Sequence, residues 1–575
     1  MRKLLLASVI GALFGGPAPA AIYHVAQANP AATDDGPGSA ERPWKTLAHA
    51  AAAPLAPGDT VLIEAGVYRE EVKLKHSGEP DHPITFAAAP GQRVVIKGSD
   101  LIKGPWVRVK GDPTVPEPYP NAYANVWKVK LGPEYFQGPE FHDPARRYIS
   151  SVWRDQTLLQ QIGPDLIYKN TDYDKITVVG RDLRDVHLNS FYWDLPAQTL
   201  YVCIAGDPGW YLMEVGTRQW LLTADRLHDV VIRGLIMAQN RQPGGQWPAV
   251  SIGECQRLTM EGCTVAQADF CGLGLGRDRD CVVRGCTFTA NGNTGVGMGQ
   301  CENCLITNCS VTANNLRRFH DGWHCGGFKC IPANHNCTIS HCEVAYNVNA
   351  PGIWFDSDNA ACRILENVVH HNGGCGIFYE INKGGGLIAG NLVYANVARG
   401  IYISGSQKVW VVHNTVAGNN CGIVAMPREG EFVLADDQIL DNLLLGNTLD
   451  GANGPRGCEI TVFMGDKPEG PRTVMSNHSD HNLFASGPGF PTLRQHWNPD
   501  NSLADWQKRY GEDLHSQAMP LNWSLAGDGF RLTDFNPPAA PAPLPAELGW
   551  QPAKAQVGCG LERWPDPAAG RSVNP

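Results

Sequence analysis

Cys286-Thr287-Phe288-Thr289-Ala290-Asn291 is one copy of a six-residue unit that recurs along the middle of the chain. A complete copy begins with Cys or Asn, continues as a short strand-forming run and ends with Asn. Clear copies occupy residues 286–291, 309–314, 342–347, 367–372, 391–396, 414–419 and 442–447, and weaker ones occupy 235–240 and 263–268. Their leading positions are 23 to 33 residues apart. This period predicts one turn of a parallel β-helix in each copy.

A second strand is predicted between the closing Asn of one copy and the start of the next. Its copies align on a leading Gly or Cys at positions 272, 295, 325, 352, 376, 400 and 422. Because side chains alternate along a strand, Ile353 and Phe355 are expected inside the helix. The outward positions defined by the same parity include Trp354, Asp356, Phe378 and Glu380.

The recurrent Asn is predicted to be a turn residue with left-handed backbone geometry, stacked into an internal ladder of amide groups. Most of the 18 cysteines fall between positions 255 and 375, at repeat positions. We interpret them as small apolar residues stacked inside the solenoid rather than as metal ligands. The repeat predicts that one column contains Cys263, Cys286, Cys309 and Cys342.

The composition and the N-terminus indicate an exported protein. The 575 residues carry a formal net charge of -10 without a basic stripe, which argues against a nucleic-acid partner. A basic start, an apolar run and Ala18-Pro19-Ala20 predict a cleaved signal peptide over residues 1–20. No later stretch approaches the ~18 apolar residues that a membrane helix needs. We therefore expect a soluble protein, secreted or periplasmic, with no membrane partner.

The repeat divides the chain into segments. Residues 21–100 are predicted to form an N-terminal cap, with a short helix, and the first rungs. The repeat disappears over 101–219, where strand-like runs rich in Trp, Tyr and Pro predict an inserted β-rich domain. Residues 220–450 are expected to hold the main rungs, and 451–575 the C-terminal rungs and a tail with a helix capped by Ser502. The expected fold class is an all-β parallel β-helix.

Two groups of residues resemble known families. The segments Pro57–Val61 and Gly66–Glu70, with the Asn-ended repeats, resemble the pectin-lyase-like superfamily of right-handed parallel β-helices. More narrowly, the strands that carry Asp356 and Glu380 resemble the β-helical glycoside hydrolases that include a β-xylosidase family. The resemblance implies that Asp356 is the nucleophile and Glu380 the acid/base. Ser357 stands where a second Trp is expected, a difference that bears on sugar preference.

The repeat itself also points to these two carboxylates. Counting four residues from each leading position gives one outward column: Gly276, Gly299, Lys329, Asp356, Glu380, Ser404 and Met426. Rungs are ~4.8 Å apart, which is near the ~5–5.5 Å between the carboxyl groups of retaining glycosidases and below the ~6.5–9.5 Å of inverting ones. Lys329 is expected to keep Asp356 ionised. Glu380, beside a like charge, is expected to hold its proton.

The surroundings of this column predict contacts with a sugar. Outward aromatic side chains are expected to form sugar platforms, and polar ones to bind hydroxyl groups. The long step between Cys309 and Cys342 holds about ten extra residues, which we expect to form a cleft wall over Lys329 and Asp356. The predicted substrate-binding residues are Lys329, Trp354, Asp358, Phe378, Asn382, Tyr402, His320, His324, Trp323 and Arg317.

Three functions are open at this point. The first is a retaining glycoside hydrolase acting on a plant- or algal-type polysaccharide or oligosaccharide, with no cofactor. The second is a polysaccharide lyase that acts by β-elimination beside a uronate, with Lys329, Arg317 or Arg318 as base and calcium at Asp356 or Asp358. The third is a non-catalytic carbohydrate-binding protein. The fold by itself does not decide among them. We favour the hydrolase over the lyase, because calcium-binding carboxylates are sparse and the predicted cleft is not obviously basic.

Overall fold

The described part of the chain is a solenoid of parallel strands. The computed structural model describes residues 20–136, 141–163, 179–242, 246–320, 324–428, 433–447, 459–462, 474–485, 493–494, 502–526, 529–533, 541–552 and 557–559. The predicted signal peptide lies outside these residues except for Ala20. The main chain winds through about 14 turns, and each complete turn adds one strand to each of three sheets, named A, B and C below. The predicted fold class, a parallel β-helix, is confirmed.

Strands of one sheet lie side by side in the order in which the turns follow each other, and their register is parallel throughout. Within the described residues, sheet A contains Ile22–Val25, Thr60–Ile63, Ile84–Ala88, Val230–Arg233, Thr259–Glu261, Val282–Arg284, Leu305–Thr307, Thr338–Ser340, Ala360–Leu365, Gly384–Ala389, Val409–Val412, Gln438–Leu440 and His478–Asp480. Sheet B contains Gly66–Tyr68, Val94–Lys97, Leu235–Ala238, Thr264–Ala266, Thr287–Thr289, Ser310–Thr312, Glu343–Ala345, Val368–His370, Leu392–Tyr394, Thr415–Ala417, Leu443–Leu445, Leu483–Phe484 and Gln517–Ala518. Sheet C contains Val72–Lys73, Leu222–Asp225, Pro248–Gly253, Cys271–Gly276, Thr294–Gly299, Gly326–Cys330, Ile353–Asp356, Ile377–Glu380, Arg399–Ser404, Cys421–Met426, Ile460–Val462 and Leu493–Arg494.

The core is a continuous column of apolar side chains inside the three sheets. Inward positions of every rung contribute to it, and Ile353, Phe355 and Tyr379 are fully buried there. The predicted inward parity of the strand that ends at Asp356 is therefore confirmed. Stacking each rung on its neighbours buries apolar surface that a single rung would leave open, which is what stabilises a solenoid.

Polar ladders run along the corners between the sheets. Cys263, Cys286, Cys309 and Cys342 follow each other in one column, and the Cys342 amide donates to the side chain of Asn367, where the Asn copies begin. At the next corner each Asn side chain donates to the Asn one rung further on, from Asn291 through to Asn447, with N···O distances of 2.7–3.0 Å. The predicted column and ladder are confirmed.

One detail of the turn prediction is wrong. The residue in the left-handed region is the one before each ladder Asn, such as Ala290, Tyr346 or Ala395, with φ between 52° and 58°. The Asn side chain must point inward to reach the next rung. The backbone reversal therefore falls on the preceding outward residue.

An antiparallel module is inserted within one turn of the solenoid, between the sheet B strand Val94–Lys97 and the sheet C strand Leu222–Asp225. One sheet orders the strands Thr157–Leu158, Val152–Arg154, Met213–Gly216 and Ser99–Leu101. The other orders Gln160–Ile162, Ser190–Asp194, Thr199–Cys203, Val126–Lys130 and Val107–Arg108. A separate apolar cluster fills the module, with short 3-10 turns at Pro133–Tyr135, Pro144–Arg146, Leu183–Asp185 and Pro208–Trp210.

Two short helices close the ends of the core. The helix Leu47–Ala52 is capped by Thr46 and packs Leu47 and Ala50 into the first rungs. The helix Leu503–Tyr510 is capped by Ser502, as predicted, and buries Trp506 against the last ones. None of the helices in the described residues has the length and apolar character to cross a bilayer. The remaining elements are the strand pairs Leu434–Ala435 with Val474–Met475 and Asn522–Ala526 with Gly529–Thr533, and a 3-10 turn at Ala546–Leu548.

Candidate active site

The outer face of sheet C carries the two predicted carboxylates. Asp356 and Glu380 are register partners on neighbouring strands, and Ser404 and Met426 follow on the next two. Parallel strands are ~4.8 Å apart, so the Cα atoms of Asp356 and Glu380 are separated by about that distance. The structure therefore brings the predicted catalytic pair together.

Lys329 lies in a different column from the predicted one. Its register partner is Trp354, not Asp356. The prediction aligned Cys325 with the leading glycines, whereas the structure aligns Gly327. A Cβ at Gly327 would come within 2.9 Å of the Asn347 amide and 2.6 Å of the Gly352 carbonyl, so this column admits only glycine. The long insertion hid this register in the sequence.

Asp356 is held by two groups despite that shift. The Lys329 ammonium donates to Asp356 Oδ2 at 2.7 Å, and the Ser357 hydroxyl donates to Oδ1 at 2.9 Å. The Asp356 side chain keeps a small exposed fraction, whereas that of Lys329 is 3% exposed. The predicted ion pair between Lys329 and Asp356 is therefore present, and its cation is more deeply buried than its carboxylate.

Glu380 has a partner that the sequence did not reveal. The Trp354 indole Nε1 donates to Glu380 Oε2 at 3.1 Å, and the Arg428 guanidinium forms an ion pair with Oε1. Arg428 is 48% exposed and follows the strand Cys421–Met426. A guanidinium favours the charged form of a carboxyl, which opposes the expectation that Glu380 holds its proton at rest. Arg428 lies two rungs from Glu380, so no repeat position pointed to it.

The predicted aromatic platform is stacked on itself. Ring centroids are 5.0 Å apart between Trp354 and Phe378 and 4.8 Å between Phe378 and Tyr402, with nearly parallel planes. The Lys329 ammonium covers the other face of Trp354 at 2.9 Å from the ring centroid. The distance between rungs is close to the stacking distance of aromatic rings, so each ring covers a face of its neighbour. Trp354, 3% exposed, positions Lys329 and Glu380 rather than presenting a face to a sugar.

Burial shifts two titratable groups beside Asp356. It lowers the pKa of Lys329 to about 8, and the neighbouring Asp356 carboxylate opposes the shift. Burial, with repulsion from Lys329, lowers the pKa of His324 to about 4. His324 is therefore a neutral imidazole close to the ion pair at ordinary pH. Its predicted place near Lys329 and Asp356 agrees with this electrostatic contact.

Asp358 and Asn382, predicted to occupy one outward column of substrate-binding residues, lie at different repeat positions. Asn382 is fully buried in a corner ladder, where it accepts from the Asn359 amide at 2.9 Å, so the prediction that it binds substrate is wrong. Asp358 is exposed at the rim. The turn after Asp356 contains one extra residue, and Ser357 and Asp358 both adopt φ near 60°. That extra residue aligns Asn382 with Asn359 rather than with Asp358.

The insertion before Lys329 is only partly a cleft wall. The Arg317 side chain, 10% exposed, forms an ion pair with the buried Asp269 and donates to the Ser150 carbonyl at 2.5 Å, so its predicted contact with substrate is wrong. Its role is to tie the antiparallel module to the solenoid. His320 is exposed. Trp323 lies outside the described residues.

The surroundings of Asp356 differ from a calcium site. Both of its carboxylate oxygens accept from protein groups, one of them the Lys329 cation. Oxygen ligands of Ca²⁺ come from several carboxylates and carbonyls grouped together. In the described residues, the group of side chains close enough to share a metal ion is Asp480, His481 and His515, near the C-terminal rungs.

Comparisons with known proteins agree with this architecture. A family profile described as "Right handed beta helix region" matches residues 248–420. The structure of XylC in complex with xylose superposes with a TM-score of 0.66 at 16% identity, over 89% of this chain and 90% of that one. The fold is a right-handed parallel β-helix. A structure described as a glycoside hydrolase gives a TM-score of 0.48 at 13% identity, over 86% of this chain and 99% of that one.

One curated protein shares a short segment with this β-helix. The uncharacterized protein YwoF of Bacillus subtilis (strain 168) is 41% identical over 73 residues. The match spans 13% of this chain and 15% of the length of YwoF. It therefore concerns a segment only.

Proposed function

We propose that this β-helix protein is a retaining glycoside hydrolase, with Asp356 as nucleophile and Glu380 as general acid and base. The observation that carries the proposal is the register pairing of the two residues on adjacent strands of sheet C. Their backbones are ~4.8 Å apart, near the carboxyl separation of ~5–5.5 Å used for retention. A water molecule between them, which inversion requires, needs the wider spacing.

The contacts of Asp356 suit a nucleophile. The buried Lys329 ammonium donates to one oxygen of Asp356, and Ser357 fixes the orientation of the other. Attack of one Asp356 oxygen on the anomeric carbon would form a glycosyl ester and break the bond to the leaving oxygen. Lys329 has no route to the sugar, because its ammonium lies between the carboxylate and the Trp354 ring.

The contacts of Glu380 suit a residue that changes its protonation state. The Trp354 indole fixes one oxygen, while the half-exposed Arg428 occupies the other. We infer that a bound sugar displaces Arg428, after which Glu380 takes up a proton beside the charged Asp356. Glu380 then gives this proton to the leaving oxygen and later removes one from the attacking water.

The substrate proposed is a plant- or algal-type polysaccharide or an oligosaccharide derived from it. The similar structure of XylC was determined with xylose, which supports a pentose as the first sugar to test. Half-buried edges of Phe378 and Tyr402, with the exposed Asp358, provide the rim of the site. With the predicted signal peptide, we propose that the protein acts outside the cytoplasm.

The lyase alternative has one observation in its favour. The pKa of Lys329, lowered to about 8, would suit a base that removes a proton beside a uronate. The position of Lys329 argues against it, because its side chain is 3% exposed and its ammonium is bound to Asp356. A base must come within hydrogen-bond distance of the proton that it removes.

A product assay on aryl glycosides and polysaccharides distinguishes these functions. The panel should include aryl β-xylosides, aryl arabinosides, xylan, polygalacturonate and alginate. A hydrolase leaves new reducing ends without ultraviolet-absorbing unsaturated sugars. Unsaturated products would establish the lyase. If every substrate of the panel stays intact, the result would favour a non-catalytic carbohydrate-binding protein.

A further inference from the structure

One carboxylate and two imidazoles come together near the C-terminal end of the solenoid. Asp480 ends the last described strand of sheet A, and His481 follows it directly. His515 lies on the loop beyond the helix Leu503–Tyr510. Ligand atoms of the three side chains all lie within 4.8 Å of one another. Imidazole nitrogen and carboxylate oxygen are common ligands of zinc in proteins, so the group has the composition of a three-ligand metal site.

Asp480 is the centre of this group. Its Oδ1 accepts the backbone N–H groups of His481 at 2.8 Å and of His515 at 2.7 Å. Its Oδ2 lies 2.7 Å from His515 Nδ1 and 3.9 Å from His481 Nε2. Ligand atoms around a tetrahedral zinc ion are about 3.3 Å apart, a value between these two distances. The backbone thus fixes one oxygen of Asp480, and the other faces both imidazoles.

The loop that carries His515 is fixed to the solenoid by backbone hydrogen bonds. On one side of His515 the Asp513 N–H donates to the Ser479 carbonyl at 2.7 Å, and on the other the Gln517 N–H donates to the Asn482 carbonyl at 3.0 Å. The His515 side chain itself is 67% exposed. Its backbone is therefore held in place while its ring has room to turn, so an ion would require little ordering of the chain.

The two imidazole rings have the freedom that a shared ion requires. They are stacked, with centroids 4.9 Å apart and 17° between their planes. Parallel rings direct their nitrogen lone pairs side by side, and a turn of the exposed His515 ring makes them converge. His481 Nδ1 is buried and has no hydrogen-bond partner among the described residues. A buried nitrogen in this state calls for a water molecule or an ion as partner.

The group is remote from the proposed catalytic pair. The strand Gly384–Ala389 follows Glu380, and the strand that ends at Asp480 is the third one beyond it in sheet A. Three rungs are about 14 Å along the axis of the solenoid. An ion at Asp480 therefore does not reach a sugar at Asp356. Its ligands instead connect the last described strand of sheet A to the segment 502–516, named the C-terminal cap below.

We propose that Asp480, His481 and His515 bind a divalent transition-metal ion, with Zn²⁺ as the first to test, and that this ion fastens the C-terminal cap to the solenoid. Two imidazoles and one carboxylate favour Zn²⁺ over Ca²⁺, which takes oxygen ligands. Water completes the coordination shell. An ion that binds the docked cap and not the detached one stabilises the docked state by mass action. The site does not depend on the proposed function of Asp356 and Glu380.

Calorimetric titration of the EDTA-treated protein with Zn²⁺ tests this inference. We expect one ion per chain. His515→Ala and His481→Asn should each weaken binding by about tenfold or more, because each removes one of three ligands. Asn tolerates the left-handed backbone of His481, where φ is 56°. The matched control is His478→Ala, which removes a neighbouring histidine that is paired with Glu512 and should bind Zn²⁺ like the wild type.

Cobalt spectra distinguish this site from binding to thiols. The distinction is necessary because the chain contains 18 cysteines. Co²⁺ in place of Zn²⁺ should give the visible bands of nitrogen and oxygen ligands without the near-ultraviolet charge-transfer band of thiolate ligands. A thiolate band would overturn the inference. Absence of Zn²⁺ binding by the wild type, equal affinity of His515→Ala, or equally tight binding of Ca²⁺ would also overturn it.

Limited proteolysis tests the fastening of the cap. Zn²⁺ should slow cutting within the C-terminal cap of the wild type and of His478→Ala, but not of His515→Ala. Binding of Zn²⁺ with no change in the cutting rate would overturn the proposed role of the ion. Circular dichroism verifies that each variant is folded, which the exposed position of His515 favours.

Discussion

At the scale of single residues, the site depends on how each carboxylate is paired. Asp356 is bonded to a buried cation, and Glu380 to an exposed one. A buried pair is rigid and desolvated, whereas an exposed pair contributes little stability and exchanges easily. The two residues thus differ in the way that a fixed nucleophile and a mobile acid/base require.

The first prediction concerns these two residues. Asp356→Asn should lower kcat by several orders of magnitude, because the amide cannot attack the sugar. Glu380→Ala should still form the glycosyl ester from aryl glycosides with good leaving groups, since those need no proton, whereas hydrolysis of the ester should become slow. Azide should restore part of the turnover of Glu380→Ala. Full activity of both variants in steady-state assays would show that the column is structural.

The second prediction concerns Arg428. Arg428→Ala removes the cation that favours the charged form of Glu380, so the pKa of the acid should rise. The basic limb of the pH profile of kcat/KM should move to higher pH, because the protonated acid persists further. Arg428→Lys, which keeps the charge, is the matched control. An unchanged basic limb in Arg428→Ala would show that Arg428 does not influence the pKa of the acid.

At the scale of elements, the residues at the corners of each rung determine its register. The ladder from Asn291 to Asn447 repeats the same hydrogen bond between side-chain amides. The glycines that face this ladder have no room for a side chain. Both features are periodic, so the sequence predicts them. The register of Gly327 was missed because the insertion offers Cys325 as an equally plausible start. The ion pairs of Arg428 with Glu380 and of Arg317 with Asp269 could not be predicted, because each joins residues of different rungs.

The third prediction concerns the ladder. Asn372→Ala leaves the buried amide of Asn347 without its acceptor, at a cost of about 1–3 kcal/mol. The thermal midpoint should fall by several degrees, and unfolding should become faster. Asn125→Ala, at an exposed position of the module, should change neither. Equal midpoints for the two variants in calorimetry would contradict a structural role for the ladder.

At the scale of the whole molecule, the antiparallel module is fixed to the solenoid through buried polar contacts. Arg317 and Asp269 form the pair at the junction, and the hydroxyls of Ser150 and Ser151 donate to Asp269. Gln156 and Leu212 of the module also line a groove along sheet B. The attachment of the module therefore helps to shape that surface.

The fourth prediction tests this attachment. Arg317→Ala leaves Asp269 buried without its cation, at a cost of about 3–5 kcal/mol. Arg277→Ala breaks an exposed pair with Glu254 and should cost about 0–1 kcal/mol. Limited proteolysis should cut the Arg317→Ala protein faster within the module, with the solenoid left intact. The same cutting rate for both variants would show that Arg317 does not anchor the module.

The stereochemistry of the first product tests the central claim most directly. An aryl glycoside that the enzyme cleaves is followed by proton NMR before the product mutarotates. Adjacent-rung carboxylates predict that the released sugar first appears with the anomeric configuration of the substrate. First appearance of the opposite anomer would contradict the assignment of Asp356 as nucleophile and Glu380 as acid and base.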